Sequence, residues 1–348
     1  MSAFSQKRDT SNFYFTGFNV HYGFIIPHTE AIEPASHTNP YGFDLSLNKL
    51  STSFNSWRVF NRYNGKGVQL SYFNYQNPRI LGMAFVLSVF TEPIISSGKK
   101  YIFSIKAGAG LSYHTKVYDY EYDTLNKFFS TPLSFPLYLM VRFKYKVGSH
   151  YNLTFSGCYN HISNGAIKVP NYGMNFPTLL VGLEYFRKPL PALDTKYSPI
   201  RSYNEHSRYL VIQVLTGYRE VYGESKYAIG LDTRYTWQIR NHYALNAGAE
   251  VILDGGVKKM IEIENKPVDY KRIALTAGQD FIFGKVIFTQ YFGLYVYSPY
   301  KAKAGIYQKY ELAYKVIPQL SAGFYLKAHT SDAELFGLCF SYHLNMKK

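Results

Sequence analysis

One stretch of the chain, residues 160–177, contains side chains that could carry out covalent chemistry. His161 and Ser163 are two residues apart, so on an extended strand both point to the same face. The imidazole could then take the hydroxyl proton, which is the minimum requirement for a nucleophilic serine. Asn164 and Gly165 follow directly and predict a turn whose backbone amides could hold a developing oxyanion. This spacing also occurs by chance in many proteins, so by itself it identifies only a candidate site.

The longer string around this pair is more specific. It reads His161-x-Ser163-Asn164 and then Pro170-Asn171-x-Gly173. In this form it resembles the motif of the lipid A 3-O-deacylase (PagL-like) family of outer-membrane acyl hydrolases, which includes acyloxyacyl hydrolases. Residues 26–30 and 108–113 also look like segments of the family's longer members. The resemblance implies a small eight-stranded barrel, which the first half of the chain could accommodate.

The resemblance also implies a role for each residue of the motif. Ser163 is expected to be the nucleophile and His161 the general base. Asn164, together with the backbone amides of Gly165 and Ala166, is expected to form the oxyanion hole. The implied reaction is hydrolysis of an ester-linked 3-hydroxyacyl chain of lipid A, with no cofactor and no metal.

One position departs from the motif of that family. Twelve residues after the serine, where the motif has a glutamate that orients the histidine, this chain has Asn175. A carboxylate stabilises the imidazolium that forms during attack, whereas a neutral amide can only hold the tautomer and orientation of the ring. The expected arrangement is therefore Ser–His–Asn, which could be active, slow or no longer catalytic. Glu184 on the next strand is a candidate substitute acid.

Alternation of apolar and polar residues with a period of two predicts the strands that position this site. In residues 101–114 the odd positions are mainly apolar or aromatic, and the even positions are mainly small or polar. The same pattern recurs in Leu139–Val147, Lys226–Trp237, Tyr243–Val251 and Ile306–Val316. Strands of this length exceed the roughly 5–6 residues of globular strands and match the roughly 9–11 residues of a tilted membrane-crossing strand. Tyr and Trp at their ends are typical of an aromatic girdle.

We therefore predict an all-β, antiparallel, up-and-down transmembrane β-barrel, because closure leaves no unpaired strand edge in lipid. About eight strands are expected before residue 188 and a similar number after residue 205. The expected turn residues are Gly65, Gly98, Gly148-Ser149, Asn241 and Gly284. One barrel of about 14–16 strands is preferred over two eight-stranded barrels in tandem, because a short connector would crowd two barrels in one membrane.

The predicted division of the chain follows from this connector, which is rich in proline. Residues 1–188 are expected to form the deacylase-like half, residues 189–204 the connector, and residues 205–348 the second set of strands. Met1–Gln6 resembles the tail of a secretory signal peptide, so we expect a start further upstream or a trimmed chain.

Composition narrows the class of protein further. Aromatic residues make up 18% of the chain, with 35 Tyr, and no apolar run approaches the roughly 18 residues of a membrane-spanning helix. The formal net charge is +15, but the basic residues are dispersed and form no stripe for nucleic acid. An anionic lipid surface and a basic barrel interior explain this charge equally well. Whether Cys158 and Cys339 are free or bridged stays open.

Strand parity links the fold to the chemistry. If the alternate residues from Tyr151 to Tyr159 face lipid, His161 and Ser163 continue that row at the end of the strand. The site would then meet the membrane at its boundary, where the acyl ester of a lipid lies. This position favours a lipid substrate over a solute in the barrel interior.

Other candidate sites are weaker. The N-terminal cluster His21, His28, His37, Glu30, Glu33 and Asp44 matches no common metal-site spacing and is interpreted as polar strand and loop residues. A second His-x-Ser, His329 and Ser331, lacks the rest of the motif and is interpreted as coincidence or a decayed repeat. Residues 118–123 are expected to form an exposed loop.

The sequence as a whole thus favours an acyl hydrolase of the bacterial outer membrane. Its expected substrate is lipid A of lipopolysaccharide, and its expected partners are outer-membrane lipids rather than nucleic acid. The alternative is a non-catalytic outer-membrane barrel, porin-like or structural, and a third class is a soluble periplasmic β protein. The sequence leaves a homodimer open.

Overall fold

The computed structural model of the protein describes residues 12–53, 57, 62–193, 207–330 and 332–346. The chain forms two compact units, and two closed antiparallel barrels of eight strands each account for the sheet structure. Residues 1–6, expected to be the tail of a signal peptide, lie outside the described residues, as does most of the predicted connector.

The first barrel is an up-and-down meander in which each strand pairs with its neighbours in sequence. Its strands are β1 (Asn12–Gly23), β2 (Tyr41–Ser51), β3 (Asn64–Asn74), β4 (Met83–Ser97), β5 (Tyr101–His114), β6 (Leu133–Lys146), β7 (Tyr151–Ser163) and β8 (Met174–Phe186). Pairing of β1 with β8, from Phe15 opposite Phe186 to Gly23 opposite Thr178, closes the barrel. A short helix, α1 (Glu33–Ser36), lies in the β1–β2 loop.

The second barrel has the same topology. Its strands are β9 (Arg208–Val221), β10 (Glu224–Arg240), β11 (Tyr243–Asp254), β12 (Lys271–Phe283), β13 (Val286–Tyr297), β14 (Ile306–Ile317), β15 (Leu320–His329) and β16 (Asp332–Met346). Pairing of β16 with β9 closes this barrel. Helix α2 (Gly255–Ile263) connects β11 to β12, and the Asp254 carboxylate caps its N-terminus by accepting from the amides of Gly256 and Val257.

The prediction of an all-β, antiparallel, up-and-down fold is confirmed, and the expected alternative of two eight-stranded barrels is the one observed. The preferred single wide barrel was wrong. Since β8 pairs back onto β1, the first sheet has no free edge to which β9 could add. The shortness of the connector, on which the preference rested, does not bear on this pairing.

The predicted strand segments fall in observed strands, except that Val147 lies one residue past the end of β6. The segment 101–114 is β5, and the segments in the second half of the chain lie within β10, β11 and β14. The segment predicted over 139–147 covers the second part of β6, which starts earlier at Leu133. Gly65 was wrongly expected in a turn, because it pairs within β3 with Leu50 on one side and Glu92 on the other.

Both barrels have polar interiors and apolar outer surfaces. In the first, Arg142 and Lys144 pair with Glu92 and Glu184 at N–O distances of 2.8–3.1 Å. In the second, Lys309 hydrogen-bonds to Glu250. Outward positions carry exposed apolar side chains such as Leu87, Val89 and Leu179. This inversion of the usual pattern is typical of barrels whose outer surface contacts hydrocarbon.

Large inward side chains occupy the interiors of both barrels. Arg142, Lys106, Tyr291 and Lys309 are all fully buried. An interior formed by eight strands is just wide enough for its own side chains. Both cysteines are free and buried, Cys158 in β7 and Cys339 in β16.

Among the residues that the structure describes, no helix combines the length and the apolar character needed to cross a membrane.

Candidate active site

The candidate site lies at the end of β7, on the outer face of the first barrel. Along β7 the odd-numbered residues face outward, and Tyr151, Phe155 and Tyr159 are 44–47% exposed. His161 and Ser163 continue this row and are half-buried, whereas the inward Ile162 between them is 1% exposed. The structure therefore confirms the predicted parity: the row of β7 that contains His161 and Ser163 faces outward.

Strand pairing then brings Asn175 to the histidine. In the register of β7 and β8, His161 lies directly opposite Asn175. His161 Nδ1 lies 2.7 Å from Asn175 Oδ1, and His161 Nε2 lies 3.2 Å from Ser163 Oγ. If Nδ1 carries the ring proton and donates it to the amide oxygen, Nε2 is left with a lone pair facing the Ser163 hydroxyl. This is the hydrogen-bonding order of a nucleophile, its base and an orienting group.

No carboxylate takes part in this arrangement within the described residues. Glu184, the candidate substitute acid, lies at the other end of β8 and faces the interior, where it pairs with Lys144 at 2.8 Å. Nine residues of strand separate it from Asn175, a distance of about 30 Å at roughly 3.3 Å per residue. The expectation that Glu184 substitutes for the missing acid was therefore wrong.

The turn after Ser163 has an unusual backbone. Gly165 and Ala166 both have positive φ, +68° and +65°. Glycine adopts this region freely, but for alanine it costs about 1 kcal/mol. Local strain of this kind is often found at functional sites.

Asn164 does not match its expected place in an oxyanion hole. Its backbone amide donates to Asn171 Oδ1 at 3.0 Å, and its side-chain nitrogen donates to Ser130 Oγ at 3.0 Å. The side chain is fully buried. Asn164 thus holds the turn in place, and the amides of Gly165 and Ala166 remain the candidate donors from the expected set.

Two residues of the Pro-Asn-x-Gly string contact the site, although neither was expected to have a role there. Asn171 accepts from the Asn164 amide. Gly173 has φ +69°, and a Cβ there would lie 3.1 Å from Ser163 Cβ and 3.2 Å from His161 Cε1. A side chain at position 173 would therefore push directly on the Ser–His pair. Their place in the quoted motif was the only sequence signal for them.

His28 is a third residue near the site that was not expected there from the sequence. It lies in the β1–β2 loop, with Nδ1 3.4 Å from Asn175 Nδ2 and Nε2 3.0 Å from the carbonyl oxygen of Tyr172. The backbone beside it is attached to β8, since the Ile26 amide donates to the Asn175 carbonyl at 2.8 Å. Pairing across 147 residues of sequence left no local signal for this contact.

The other sequence candidates do not join the site. His21 faces the interior, where Nε2 lies 2.8 Å from Asp44 Oδ2. His329 is buried in the second barrel against Glu334, at 3.1 Å, and Ser331 lies outside the described residues. No group of His, Cys, Asp or Glu within the described part of the chain has an arrangement that could hold a metal ion.

The fold and this geometry together define a β-barrel protein with a Ser–His–Asn cluster on its outer face. Family comparison is more specific: residues 42–184 match the model of lipid A 3-O-deacylase (PagL), and residues 207–346 match that of the acyloxyacyl hydrolase C-terminal domain. The chain belongs to the lipid A 3-O-deacylase (PagL) family, a family of hydrolases that act on lipid A. The resemblance inferred from the motif is thereby confirmed.

Solved structures that resemble the chain do so only distantly. Neisserial surface protein A is 9% identical, with a TM-score of 0.32 over 49% of this chain and 96% of its own. The toluene transporter TodX of Pseudomonas putida is 7% identical, with a TM-score of 0.20 over 97% of this chain and 90% of its own. OccK3 of Pseudomonas aeruginosa is 8% identical, with a TM-score of 0.23 over 97% of this chain and 96% of its own. No curated protein sequence matches the chain.

Proposed function

We propose that the protein is an outer-membrane hydrolase that removes an ester-linked acyl chain from lipid A, with Ser163 as the nucleophile. The observation that carries the proposal is the position of Ser163 and His161 on the outward row of β7, in continuity with exposed aromatic residues. A substrate that reaches this face comes from the lipid phase or its boundary. Family membership supports lipid A as the substrate.

The proposed reaction begins at the Ser163 hydroxyl. His161 Nε2 takes its proton while Oγ forms a bond to the ester carbonyl carbon, and the carbonyl electron pair moves onto its oxygen. The amides of Gly165 and Ala166 are proposed to donate to that oxyanion. When the carbonyl re-forms, the sugar oxygen of lipid A leaves and takes the proton from His161. Water then releases the fatty acid from Ser163 by the same sequence of steps.

The role of Asn175 in this scheme is limited to orientation. Its oxygen holds the His161 ring through Nδ1 at 2.7 Å, so that Nε2 faces Ser163. It adds no negative charge to stabilise the imidazolium, and a slower reaction than with a carboxylate follows from this. The groups described need no cofactor for ester hydrolysis.

The proposed outer-membrane location rests on the surface of the two barrels. Both barrels carry apolar side chains outward and charged side chains inward, and neither has an open sheet edge. Such a surface is stable in hydrocarbon, where every backbone group must be paired. The large side chains that occupy both interiors weigh against the alternative of a porin-like channel.

The experiment that tests the proposal is the mass of lipid A in cells that make the protein. Expressed in a Gram-negative host with intact lipid A, the wild-type chain is expected to produce a lipid A species that lacks one acyl chain. Ser163→Ala is expected to leave lipid A intact while accumulating in the outer-membrane fraction to the same level. Unchanged lipid A with a correctly inserted wild-type barrel would reject the hydrolase and leave the structural-barrel alternative.

A further inference from the structure

We infer that His28 is a positioning residue of the candidate triad, because it determines which way the Asn175 amide points and therefore which nitrogen of His161 carries the proton. The contacts of His28 with Asn175 and Tyr172 carry this inference. Its effect on rate rests on the proposed function, whereas its effect on the His161 proton does not.

An asparagine in this position has an ambiguity that a carboxylate lacks. Its amide has one acceptor atom and one donor group of nearly equal size, so two orientations fit the same space. With Oδ1 towards His161, the ring carries its proton on Nδ1, and Nε2 can accept from Ser163. With the amide reversed, Nδ2 donates to Nδ1, and the ring proton moves to Nε2. In that state His161 cannot act as a base.

The contacts of His28 remove this ambiguity. His28 Nε2 faces the carbonyl oxygen of Tyr172 at 3.0 Å, and a carbonyl can only accept. Neutral His28 must therefore carry its proton on Nε2, which leaves Nδ1 as an acceptor. The neighbour of that acceptor, at 3.4 Å, is Asn175. Its donor group is required there, so its oxygen must face His161.

The backbone around this chain of hydrogen bonds is held from several loops. The amides of Tyr172 and Gly173 donate to the carbonyls of Lys127 and Phe128 at 3.1 and 3.2 Å, which fixes the segment that presents the Tyr172 carbonyl. The Ile26 amide donates to the Asn175 carbonyl at 2.8 Å, which keeps the His28 loop beside β8. These backbone hydrogen bonds thus hold both ends of the hydrogen-bond chain that runs from the Tyr172 carbonyl to Ser163.

A direct test is to measure which ring nitrogen of each histidine carries the proton. In protein labelled with ¹⁵N-histidine and held in detergent micelles, ring-nitrogen shifts distinguish the two neutral tautomers. We expect His28 as the Nε2–H form and His161 as the Nδ1–H form. In His28→Leu, His161 is expected to shift to a mixture of both forms. An unchanged His161 tautomer in His28→Leu would overturn the inference, whether or not the protein hydrolyses lipid A.

A kinetic test separates positioning from folding, using purified lipid A as the substrate. His28→Leu is expected to lower kcat about two- to tenfold with little change in KM, the effect of losing one orienting hydrogen bond. His28→Gln, which offers both an acceptor and a donor, is expected to recover most of that rate. In an Asn175→Glu background the loss should disappear, because a carboxylate needs no orienting.

The outcomes of this kinetic test are distinguishable. His37→Leu, a loss of an exposed histidine in the same loop, is the matched control and should leave kcat unchanged. An equal loss from His28→Leu in the wild-type chain and in the Asn175→Glu background would show a purely structural role and overturn the inference. If wild type and Ser163→Ala both fail to release fatty acid, the proposed function fails, and the tautomer measurement alone decides the role of His28.

Discussion

The seventh strand of each barrel has a histidine at or near its end, with a serine two residues later in the sequence, yet the two histidines have different surroundings. On β7, His161 continues the outward row and contacts Ser163 and Asn175. On β15, His329 is 5% exposed and faces the interior, where it contacts Glu334 and the carbonyl oxygen of Ile306. A histidine at a corresponding place in the topology therefore lies on the outer face of the first barrel and in a buried ionic cluster of the second.

The difference comes from the parity of each strand. On β15 the row that contains His329 also contains Lys327, which is fully buried. A charged side chain on a strand of such a barrel belongs to the interior, because facing hydrocarbon costs about 2–4 kcal/mol. On β7 the row that contains His161 carries only apolar and aromatic residues before it. Substitutions of outward groups should thus affect activity, whereas substitutions of inward groups should affect stability.

The largest contrast is expected between the two histidines themselves. His161→Gln removes the proposed base and should lower kcat by about 10³-fold with little loss of stability. His329→Gln removes the contact with Glu334 and should leave kcat within about twofold, while lowering the free energy of unfolding by roughly 1–3 kcal/mol. The measurements are fatty-acid release from lipid A and denaturant unfolding in micelles. Loss of activity in His329→Gln at full stability would contradict the division between outward and inward groups.

A second contrast lies along β8, between its outward end and its inward end. Glu184→Gln leaves Arg142 and Lys144 with one buried carboxylate fewer, and should cost about 3 kcal/mol of unfolding free energy. Its kcat should stay within about twofold, since the residue is about 30 Å from Asn175. Glu224→Gln, at an exposed pair on the second barrel, is the control and should not change the unfolding midpoint. A large fall in kcat for stable Glu184→Gln would show that this acid acts on the site.

A third prediction concerns the missing charge at the outward end. Asn175→Glu places a carboxylate against His161 Nδ1, where a charge-assisted hydrogen bond is about twice as strong as a neutral one. The imidazolium formed during attack should be stabilised, and kcat should rise about tenfold. Asn175→Gln, which lengthens the side chain without adding charge, is the control. An equal kcat for wild type and Asn175→Glu would mean that charge at this position does not limit the rate.

The smallest effect is expected from crowding the Ser–His pair. Gly173→Ala adds a Cβ 3.1 Å from Ser163 Cβ at a residue with φ +69°. The strain of about 1 kcal/mol should lower kcat about fivefold without changing membrane insertion. Gly148→Ala is the matched control, because it also has positive φ but nothing within 4 Å of an added Cβ. If both variants lose the same activity, backbone strain rather than contact with the site is the cause.

Much of this molecule could be predicted from local patterns. Alternation alone located β5 at its observed bounds and placed His161 and Ser163 on the outward row of β7. The closure of each barrel could not be predicted in this way, because every strand satisfies the same alternation whether its sheet closes after eight strands or sixteen. Pairing of β1 with β8 joins residues more than 150 positions apart, and no local pattern encodes it.

Some residues of the candidate site could likewise be predicted from the sequence, and others could not. A short string of residue types predicted Ser163, His161 and Asn175, because the spacing of two and the motif are properties of the chain itself. His28 could not be found, since it reaches Asn175 only through the folding of a separate loop onto β8. The error about Glu184 has a different cause: it lies nine residues after Asn175 on the same strand, so the two-residue period already places it on the opposite face, and the structure adds its ion pairs with Arg142 and Lys144.

The class of fold and the face on which His161 and Ser163 lie follow from residue type and from the two-residue period of a strand, whereas Asn175 was expected from the motif resemblance. Three features became visible only in the folded protein: each half of the chain closes on itself, Asn164 supports the turn, and His28 contacts Asn175. Those three facts depend on contacts between groups that are not neighbours in sequence, seven residues apart for Asn164 and Asn171 and 147 for His28 and Asn175. Such contacts are determined by hydrogen-bond pairing and packing of the whole barrel rather than by any short segment.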